Sequence, residues 1–405
     1  MELKQHYSAV VVGAGPGGSM AARALAQAGV DVALIEKSKD VGKNFLCAEG
    51  ISHASLTQFF PVDSRYVASE VRRVRVVGPT GEAFQVRTPG AGYVLERVIF
   101  DRFLAEEAAR AGAELWTSTT VQEVKREGER FRLEVLWQGR RRSLTADLVI
   151  GADGVSSRVG RQLGLAVETE DQDVHVASQV LLVHPDIQGD RMEFYISHTW
   201  APYGYAWVFP KRDGVGNVGL GVLPPHRAQP LLDRFLETFF PGGRVVWRLN
   251  GAIPTGGWRM QLVDDGVMLV GDAARLADPL TDGGIATAMI SGDLAGRVGA
   301  TALQEGNLSV DRLREYPDTY WKQYRKYYDL NLRLRNLFFR LSDEDLAELH
   351  RILAPRLEDQ ALTTYDAFEL LGIFFRMVPD LLGFLARKGG TQLVGYLRKL
   401  VFPSA

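Results

Sequence analysis

The chain has very little cysteine: one residue, Cys47, in 405. A single thiol excludes an intrachain disulfide framework and any all-cysteine metal site, and it fits a reducing compartment. The seven histidines are scattered without a ligand-like pair, so no metal centre is expected. Charge of one sign is lacking too. With 47 Lys and Arg against 49 Asp and Glu the formal net charge is -2, and no global field steers the chain to nucleic acid or acidic lipid. No uninterrupted apolar run reaches the ~20 residues that span a bilayer. The first residues enter a strand pattern without the apolar core of a secretory signal, so a cytoplasmic location is expected. Repeats and low-complexity segments are absent.

Glycine, in contrast, is abundant at 42 residues, which suits tight turns and close backbone–ligand approaches. The length exceeds one small core and predicts two or three domains. Tyr7–Val12 reads as a buried strand, Ser19–Ala28 as a helix ended by Gly29, and Val30–Ile35 as a second buried strand. This βαβ unit starts a parallel sheet. Val71–Val77 and Ala83–Thr88 predict a hairpin around Pro79-Thr80-Gly81. A helix is predicted over Val98–Ala111. A strand meander follows over Val121–Ile150, turning near Gly128 and Gly139 and carrying Arg140, Arg141 and Arg142 at a solvated tip. Residues 174–222 are strand-like and antiparallel. Gly266–Val270 returns to the first sheet, and from Leu313 the chain reads mostly helical. The expected fold class is α/β (α+β overall), with a Rossmann-like three-layer domain, an antiparallel-sheet domain and a helical C-terminal region.

Three strings carry chemistry. In Gly13-Ala14-Gly15-Pro16-Gly17-Gly18, Gly13 allows a tight turn, Gly15 lets the backbone approach a pyrophosphate, and Gly18 lets the helix pack close to the sheet. The helix N-terminus then offers free N–H groups and its positive dipole end to the phosphates. Glu36 ends the next strand, placed to accept from ribose hydroxyls. An acid there disfavours a 2′-phosphate, leaving FAD or NAD. The second string, Asp147-Leu-Val-Ile-Gly-Ala-Asp153-Gly154, and the third, Gly266-Val-Met-Leu-Val-Gly271-Asp272, are buried strands that run out into a carboxylate able to accept from ribityl hydroxyls. Together with the glycine motif they point to FAD. Pro279-Leu-Thr-Asp-Gly283-Gly284-Ile285 then opens a helix whose backbone N–H groups, at Gly284 and Ile285, can stabilise negative charge on a reduced flavin.

On these motifs the chain resembles FAD-dependent hydroxylase-type flavoproteins, and within them the geranylgeranyl reductases, nearest the archaeal type that saturates digeranylgeranyl glycerophospholipids. Gly92-Tyr93-Val94-Leu95-Glu96-Arg97 with Phe100-Asp101 matches the family segment whose arginine contacts FAD. Val121 falls where the family backbone meets the adenine. Cys47-Ala48-Glu49-Gly50 matches the family loop beside the flavin. Tyr205-x-Trp207-x-Phe209-Pro210, with Gly219-x-Gly221 after eight intervening residues, matches the signature that lines the substrate cavity. The resemblance extends to Asn331–Arg335 and Leu341–Asp345. Asp282 departs from it, standing where another glycine is expected.

The resemblance implies the domain limits. Residues 1–70, 93–173 and 262–305 would form the FAD-binding domain, 71–92 and 174–261 the substrate domain, and 306–405 the helical region. It also implies saturation of prenyl double bonds on a lipid or quinone, with hydride from flavin N5 and a proton from a nearby acid or water. Cys47 is a candidate proton donor, although a lone cysteine is more often a small buried hydrophobe. Glu49 reads more as a turn residue than as an acid. Tyr205, Trp207 and Phe209 alternate along a strand and share one side. No second G-x-G-x-x-G is present, so electrons would come from transiently bound NAD(P)H or from a ferredoxin. In the tail, Lys322, Arg325, Lys326, Arg333, Arg335 and Arg340 mix with Tyr320, Trp321, Tyr324, Tyr327, Tyr328, Phe338 and Phe339. This mixture reads either as a peripheral membrane contact or as amphipathic helices with a solvated basic face. The apolar stretch Leu370–Leu385 is broken by Arg376, Pro379 and Asp380. Rival readings on the same scaffold are a monooxygenase or halogenase, whose W-x-W-x-I-P string is absent, and an electron-transfer flavoprotein to quinone, whose iron–sulfur cluster would need more cysteines.

Overall fold

The computed structural model describes residues 3–43, 47–165, 173–362, 380–381 and 383–388. The chain forms two compact units: residues 1–45, 97–173 and 253–326 in the first, and 46–96, 174–252 and 327–405 in the second. Residues 46–70 group with the second unit because Gly50–Ser52 and Val67–Val77 both pair with Ala83–Leu95. Of the apolar stretch Leu370–Leu385, residues 370–379 and 382 lie outside the described residues.

In the first unit His6–Val12 is the central strand, because its run of apolar side chains is buried on both faces. It pairs in parallel with Val32–Ile35 on one side and Arg140–Gly151 on the other. Val32–Ile35 continues to Glu114–Trp116, and Arg140–Gly151 continues to Val267–Leu269, both in parallel. Thr119–Glu127, Arg130–Trp137 and Arg140–Gly151 form the expected antiparallel meander, and Arg140, Arg141 and Arg142 are exposed at its tip. The first helix spans Pro16–Gln27, three residues earlier than expected. Gly15 caps it in an extended conformation and Pro16 takes the first turn, where its missing N–H costs nothing. The second strand begins at Val32 rather than Val30.

The helix Ile285–Glu305 crosses the first helix at backbone contact. A β-carbon added at Gly292 would stand 2.0 Å from the Gly17 carbonyl oxygen, and one at Gly296 would stand 2.5 Å from that of Ala21. Tyr316, at the start of the helix Glu315–Phe338, is fully buried and donates its hydroxyl to the Leu269 carbonyl at 2.9 Å.

The second unit is one eight-stranded sheet, in the order Arg244–Pro254, Val174–Val183, Val215–Val222, Tyr205–Arg212, Arg191–Tyr195, Val67–Val77, Ala83–Leu95 and Gly50–Ser52. The expected hairpin is present, and both its strands run further at the end away from the turn, to Val67 and Leu95. The helix Ala228–Phe239 covers one sheet face, where Leu232, Phe235 and Leu236 pack on Val180, Val208, Val218 and Leu220. The helix Asp343–Leu357 starts with a capping box between Ser342 and Asp345. The α/β class with a strand-rich second sheet and helices near the C-terminus is borne out.

The tail needs one correction. Arg335 is buried, with its guanidinium 5.4 Å from the Phe339 ring centroid, and so does not belong to a solvated basic face. Lys322, Arg325, Lys326, Arg333 and Arg340 are exposed. Among the described residues no helix is long and apolar enough to cross a membrane.

The helix crossing gives a direct test. Gly292→Ala forces the two helices apart at a backbone contact, an overpacking that costs about 1–3 kcal/mol. The variant is expected to unfold at lower temperature or urea concentration, and an unchanged midpoint would show that the crossing yields freely.

Candidate functional site

The three motifs of the first unit meet at the C-terminal ends of its parallel strands, the usual ligand edge of an open α/β sheet. Gly13 has φ +104°, and a β-carbon there would stand 2.3 Å from the Ala152 carbonyl oxygen. At Gly18 a β-carbon would lie 1.8 Å from the Gly13 carbonyl oxygen. These two glycines therefore let the first motif fold tightly on itself and on the second. Gly17 faces Val270 and Ala288. Gly15 differs from all three, because its side-chain direction meets no protein atom within 4 Å. The glycine meant for close ligand approach is thus the one that opens onto space.

Glu36 organises this edge. Its Oε2 accepts from the Ala14 N–H at 3.1 Å and its Oε1 from the Ser38 N–H at 2.8 Å. The carboxylate is held at the strand end with lone pairs remaining for hydroxyl donors. Asp153 accepts from the Val159 N–H through Oδ2 at 3.0 Å, while its buried Oδ1 has no partner among the described residues. Burial pushes the Asp153 carboxyl above its ordinary value, against the pull of the Val159 N–H. Ser157 donates to the Ala273 carbonyl at 2.9 Å and ties the second motif to the third.

Asp272 stands beside the start of the helix Ile285–Glu305. A β-carbon at Gly284 would lie 3.3 Å from Asp272 Oδ1. Part of the Asp272 residue meets solvent, but protein surrounds the carboxyl, and this desolvation pushes it up to about 6 against the attraction of Arg97. Arg97 is buried and bidentate to Asp101, with Nε–Oδ1 at 2.6 Å and Nη2–Oδ2 at 2.8 Å. Val121 is half-buried in the strand Thr119–Glu127, at a bulge. Asp282 adopts φ +58°, so the position that departs from the family pattern keeps the left-handed backbone a glycine would take. An open glycine at the start of the first helix, whose first-turn N–H groups have no intrahelical acceptor, and two desolvated carboxyls fit the phosphates and polyol of a flavin dinucleotide.

The second unit carries the other sequence-derived residues. Cys47 is half-buried, and its Sγ accepts from the Glu49 N–H at 3.2 Å. Ala48 is half-buried between them, and a β-carbon at Gly50 would stand 2.8 Å from the Phe209 ring. The loop therefore sits on the aromatic strand. Tyr205, Trp207 and Phe209 do share one sheet face, with Tyr205 and Trp207 ring centroids 5.9 Å apart. Phe194 joins them at 5.7 Å from Tyr205 and 5.5 Å from Phe209. Gly219 pairs with Trp207 across the strands, and a β-carbon there would lie 2.4 Å from the indole. That glycine lets the ring lie over the neighbouring strand. Gly221 pairs with Tyr205 in the same way. At Pro210, which has no N–H to give the ladder, the register shifts, and Lys211 is the extra residue.

Lys211 is the residue the sequence hid. Its ammonium is buried among the Leu95 carbonyl, Glu49 and Glu96. Asn217 donates its amide to Glu49 Oε2 as well. Glu49, read from sequence as a turn residue, does hold φ +73°, but its carboxylate is the centre of a buried polar cluster. Polar residues inside apolar strand runs, such as Gln179, Lys211 and Asn217, were the available signal.

Comparison with known proteins gives a consistent picture. The profile of the FAD binding domain family matches residues 6–213. The digeranylgeranylglycerophospholipid reductase of Methanothrix thermoacetophila is 39% identical over 383 residues, covering 92% of this chain and 97% of that protein. The digeranylgeranylglycerophospholipid reductase 2 of Methanococcoides burtonii is 36% identical over 389 residues, covering 94% and 95%. Among solved structures, a geranylgeranyl bacteriochlorophyll reductase-like protein from Thermoplasma acidophilum superposes with a TM-score of 0.87 at 32% identity, covering 95% of this chain and 99% of that one.

The raised Asp272 carboxyl has a pH consequence for the cofactor-free protein. Its folded value of about 6 lies above the ordinary 3.8, so its burial costs nothing in acid. The cost grows as pH rises through that interval and is complete above it. Asp272→Asn is therefore expected to stabilise the apoprotein by on the order of 2 kcal/mol above about pH 7, with the gain vanishing below about pH 4. Urea denaturation across that range measures it, and a gain independent of pH would exclude the carboxyl as its source.

Proposed function

The chain belongs to the digeranylgeranylglycerophospholipid reductase family and to the FAD binding domain family, and from that premise we propose that it is an FAD-dependent reductase that saturates carbon–carbon double bonds in lipid-borne geranylgeranyl chains. The observation that carries the reading is the pairing of two features in one chain: a flavin-dinucleotide edge in the first unit and a continuous aromatic sheet face in the second. An isolated trisubstituted alkene has no carbonyl to polarise. It must be held where hydride and proton arrive as a pair, and positioning in a dry site is the main contribution a protein can make.

FAD, when bound, supplies the hydride. Gly13, Gly15, Gly17 and Gly18 would hold its pyrophosphate against the first helix, and Glu36 its adenosine ribose. Asp153 and Asp272 would take ribityl hydroxyls, Arg97 and Val121 would flank the dinucleotide, and Gly284 and Ile285 would turn backbone N–H groups to the ring. Cys47, Ala48 and Gly50 would border the reacting end, where the proton comes from an ordered water or from a nearby acid, the family loop making Cys47 a candidate. Tyr205, Trp207, Phe209, Pro210, Gly219 and Gly221 would line the chain slot. Burial there contributes about 0.8 kcal/mol per methylene, enough for a prenyl tail to bind by itself. Electrons would come from NAD(P)H or a ferredoxin. The exposed basic residues of the helix Glu315–Phe338, beside half-buried Trp321 and Tyr324, suit a peripheral contact with the membrane that holds the lipid. The proposed domain division follows the same roles, with the first unit for cofactor and the second for substrate.

Reduced enzyme incubated with a geranylgeranyl glycerophospholipid is expected to yield products heavier by whole H2 units in mass spectrometry. Hydroxylated product alone, or no product with any donor, would sink the reading. Gly15→Val, which fills the open space at the cradle, is expected to yield folded protein that has lost bound flavin. Retention of wild-type flavin content would remove Gly15 from the site.

A further inference from the structure

The aromatic face of the second unit is not wholly apolar. Three buried polar atoms on it have no hydrogen-bond partner among the described residues: Trp207 Nε1, Gln179 Oε1 and Asn217 Oδ1. Their residues are 3%, 1% and 0% exposed. They are also neighbours. Gln179 pairs with Gly219 on one side, and Trp207 pairs with Gly219 on the other. The point where a Gly219 β-carbon would stand is 2.7 Å from both Gln179 Cβ and Trp207 Cε2, the carbon bonded to Nε1. Asn217 lies two residues from Gly219 on the same face.

The Asn217 amide cannot simply be turned over to satisfy its oxygen. Its Nδ2 donates to Glu49, and a carboxylate held by the Lys211 ammonium only accepts. The Lys211–Glu49 pair thus fixes which end of the amide meets Glu49 and leaves Oδ1 as the end without a partner among the described residues. Leaving such a buried group unpaired costs about 1–3 kcal/mol, and three in one place is more than a sheet core normally tolerates.

One donor and two acceptors is the complement of a water molecule, which accepts from the indole N–H and donates to both amide oxygens. A lipid hydroxyl, with one hydrogen, matches only two of the three. We propose that Trp207, Gln179 and Asn217 bind an ordered water on the aromatic face, and that this water delivers the proton in alkene reduction. The inference rests on the reductase reading. It makes Gln179 and Asn217 positioning residues and gives Lys211 and Glu49 the task of orienting Asn217. In the step, hydride adds to one carbon of the double bond. The π pair takes a proton from water at the other carbon, breaking one O–H bond, and the hydroxide left behind takes a proton back from solvent. The alkene gains two hydrogens, reduced flavin loses one hydride, and solvent loses one proton.

The test combines a structure with kinetics. In a crystal structure of the FAD-bound enzyme, density for one water is expected within about 3.2 Å of all three atoms. Density for flavin or lipid atoms bonded there instead, or no density, overturns the proposal. Gln179→Met keeps the side-chain shape and removes the acceptor. If Gln179 Oε1 were merely an orphan, this change would hold or raise the melting temperature and leave turnover alone. The proposal expects wild-type flavin content with single-turnover alkene reduction slowed at least about tenfold and an increased solvent isotope effect. A variant with wild-type rate and isotope effect overturns the proton role. If the wild-type enzyme forms no saturated product, the reductase reading fails and the proton role with it, while the crystal structure still decides whether the water site exists.

Discussion

The first unit depends on one steric constraint: backbone must approach backbone around the start of its first helix. Gly18 lies against the Gly13 carbonyl, Gly13 against Ala152, and Gly292 against the Gly17 carbonyl. None of these places has room for a β-carbon. Because the helices and strand ends close in this way, the first helix begins directly at the end of the central strand. Its N-terminus then remains open at Gly15, where nothing protein-borne occupies the side-chain direction. The carboxyls of Glu36, Asp153 and Asp272 gather at that edge because the strands preceding them are neighbours in one parallel sheet. Desolvation at Asp153 and Asp272 is the cost of that gathering, and it is the kind of cost that a polar ligand relieves.

The second unit is governed by a different device. A proline interrupts the ladder, the register slips by one residue, and Lys211 is brought inside to meet Glu49. A buried lysine–carboxylate pair is weak evidence for stability in itself, since desolvation offsets most of the attraction. Its value here is geometric. It anchors the left-handed turn at Glu49, which carries the N–H that meets the Cys47 sulfur, and it orients the Asn217 amide. Gly219 supplies the remaining room, so that the Trp207 ring can lie across the next strand. An apolar face thereby acquires a small, directional polar patch.

Elements with strong local signals were legible in the sequence: the βαβ start, the hairpin at Pro79–Gly81, the meander with turns at Gly128 and Gly139, and the shared face of Tyr205, Trp207 and Phe209. Element boundaries were less legible. The first helix starts at Pro16 rather than Ser19, because proline and glycine look like loop residues until their place in the first turn is known. Arg335 was misread, and the buried contacts of the Glu49 carboxylate were missed although its turn was expected, for a related reason. A charged residue is normally a surface residue, and only a distant partner or a covering ring makes it otherwise. Asp282 looked like a fault in the flavin edge, yet it holds the left-handed backbone that the loop requires.

By itself the sequence determined the ligand class, because glycine spacing and strand-end acids encode local backbone geometry that survives without knowledge of the fold. It also determined the family, through motifs spread over most of the chain. Only the tertiary structure decided the polar chemistry of the second unit. Lys211, Glu49, Asn217 and Gln179 are separated by as many as 168 residues along the chain, as between Glu49 and Asn217. Their meeting depends on sheet order and on a one-residue register shift, neither of which leaves a periodic trace in sequence.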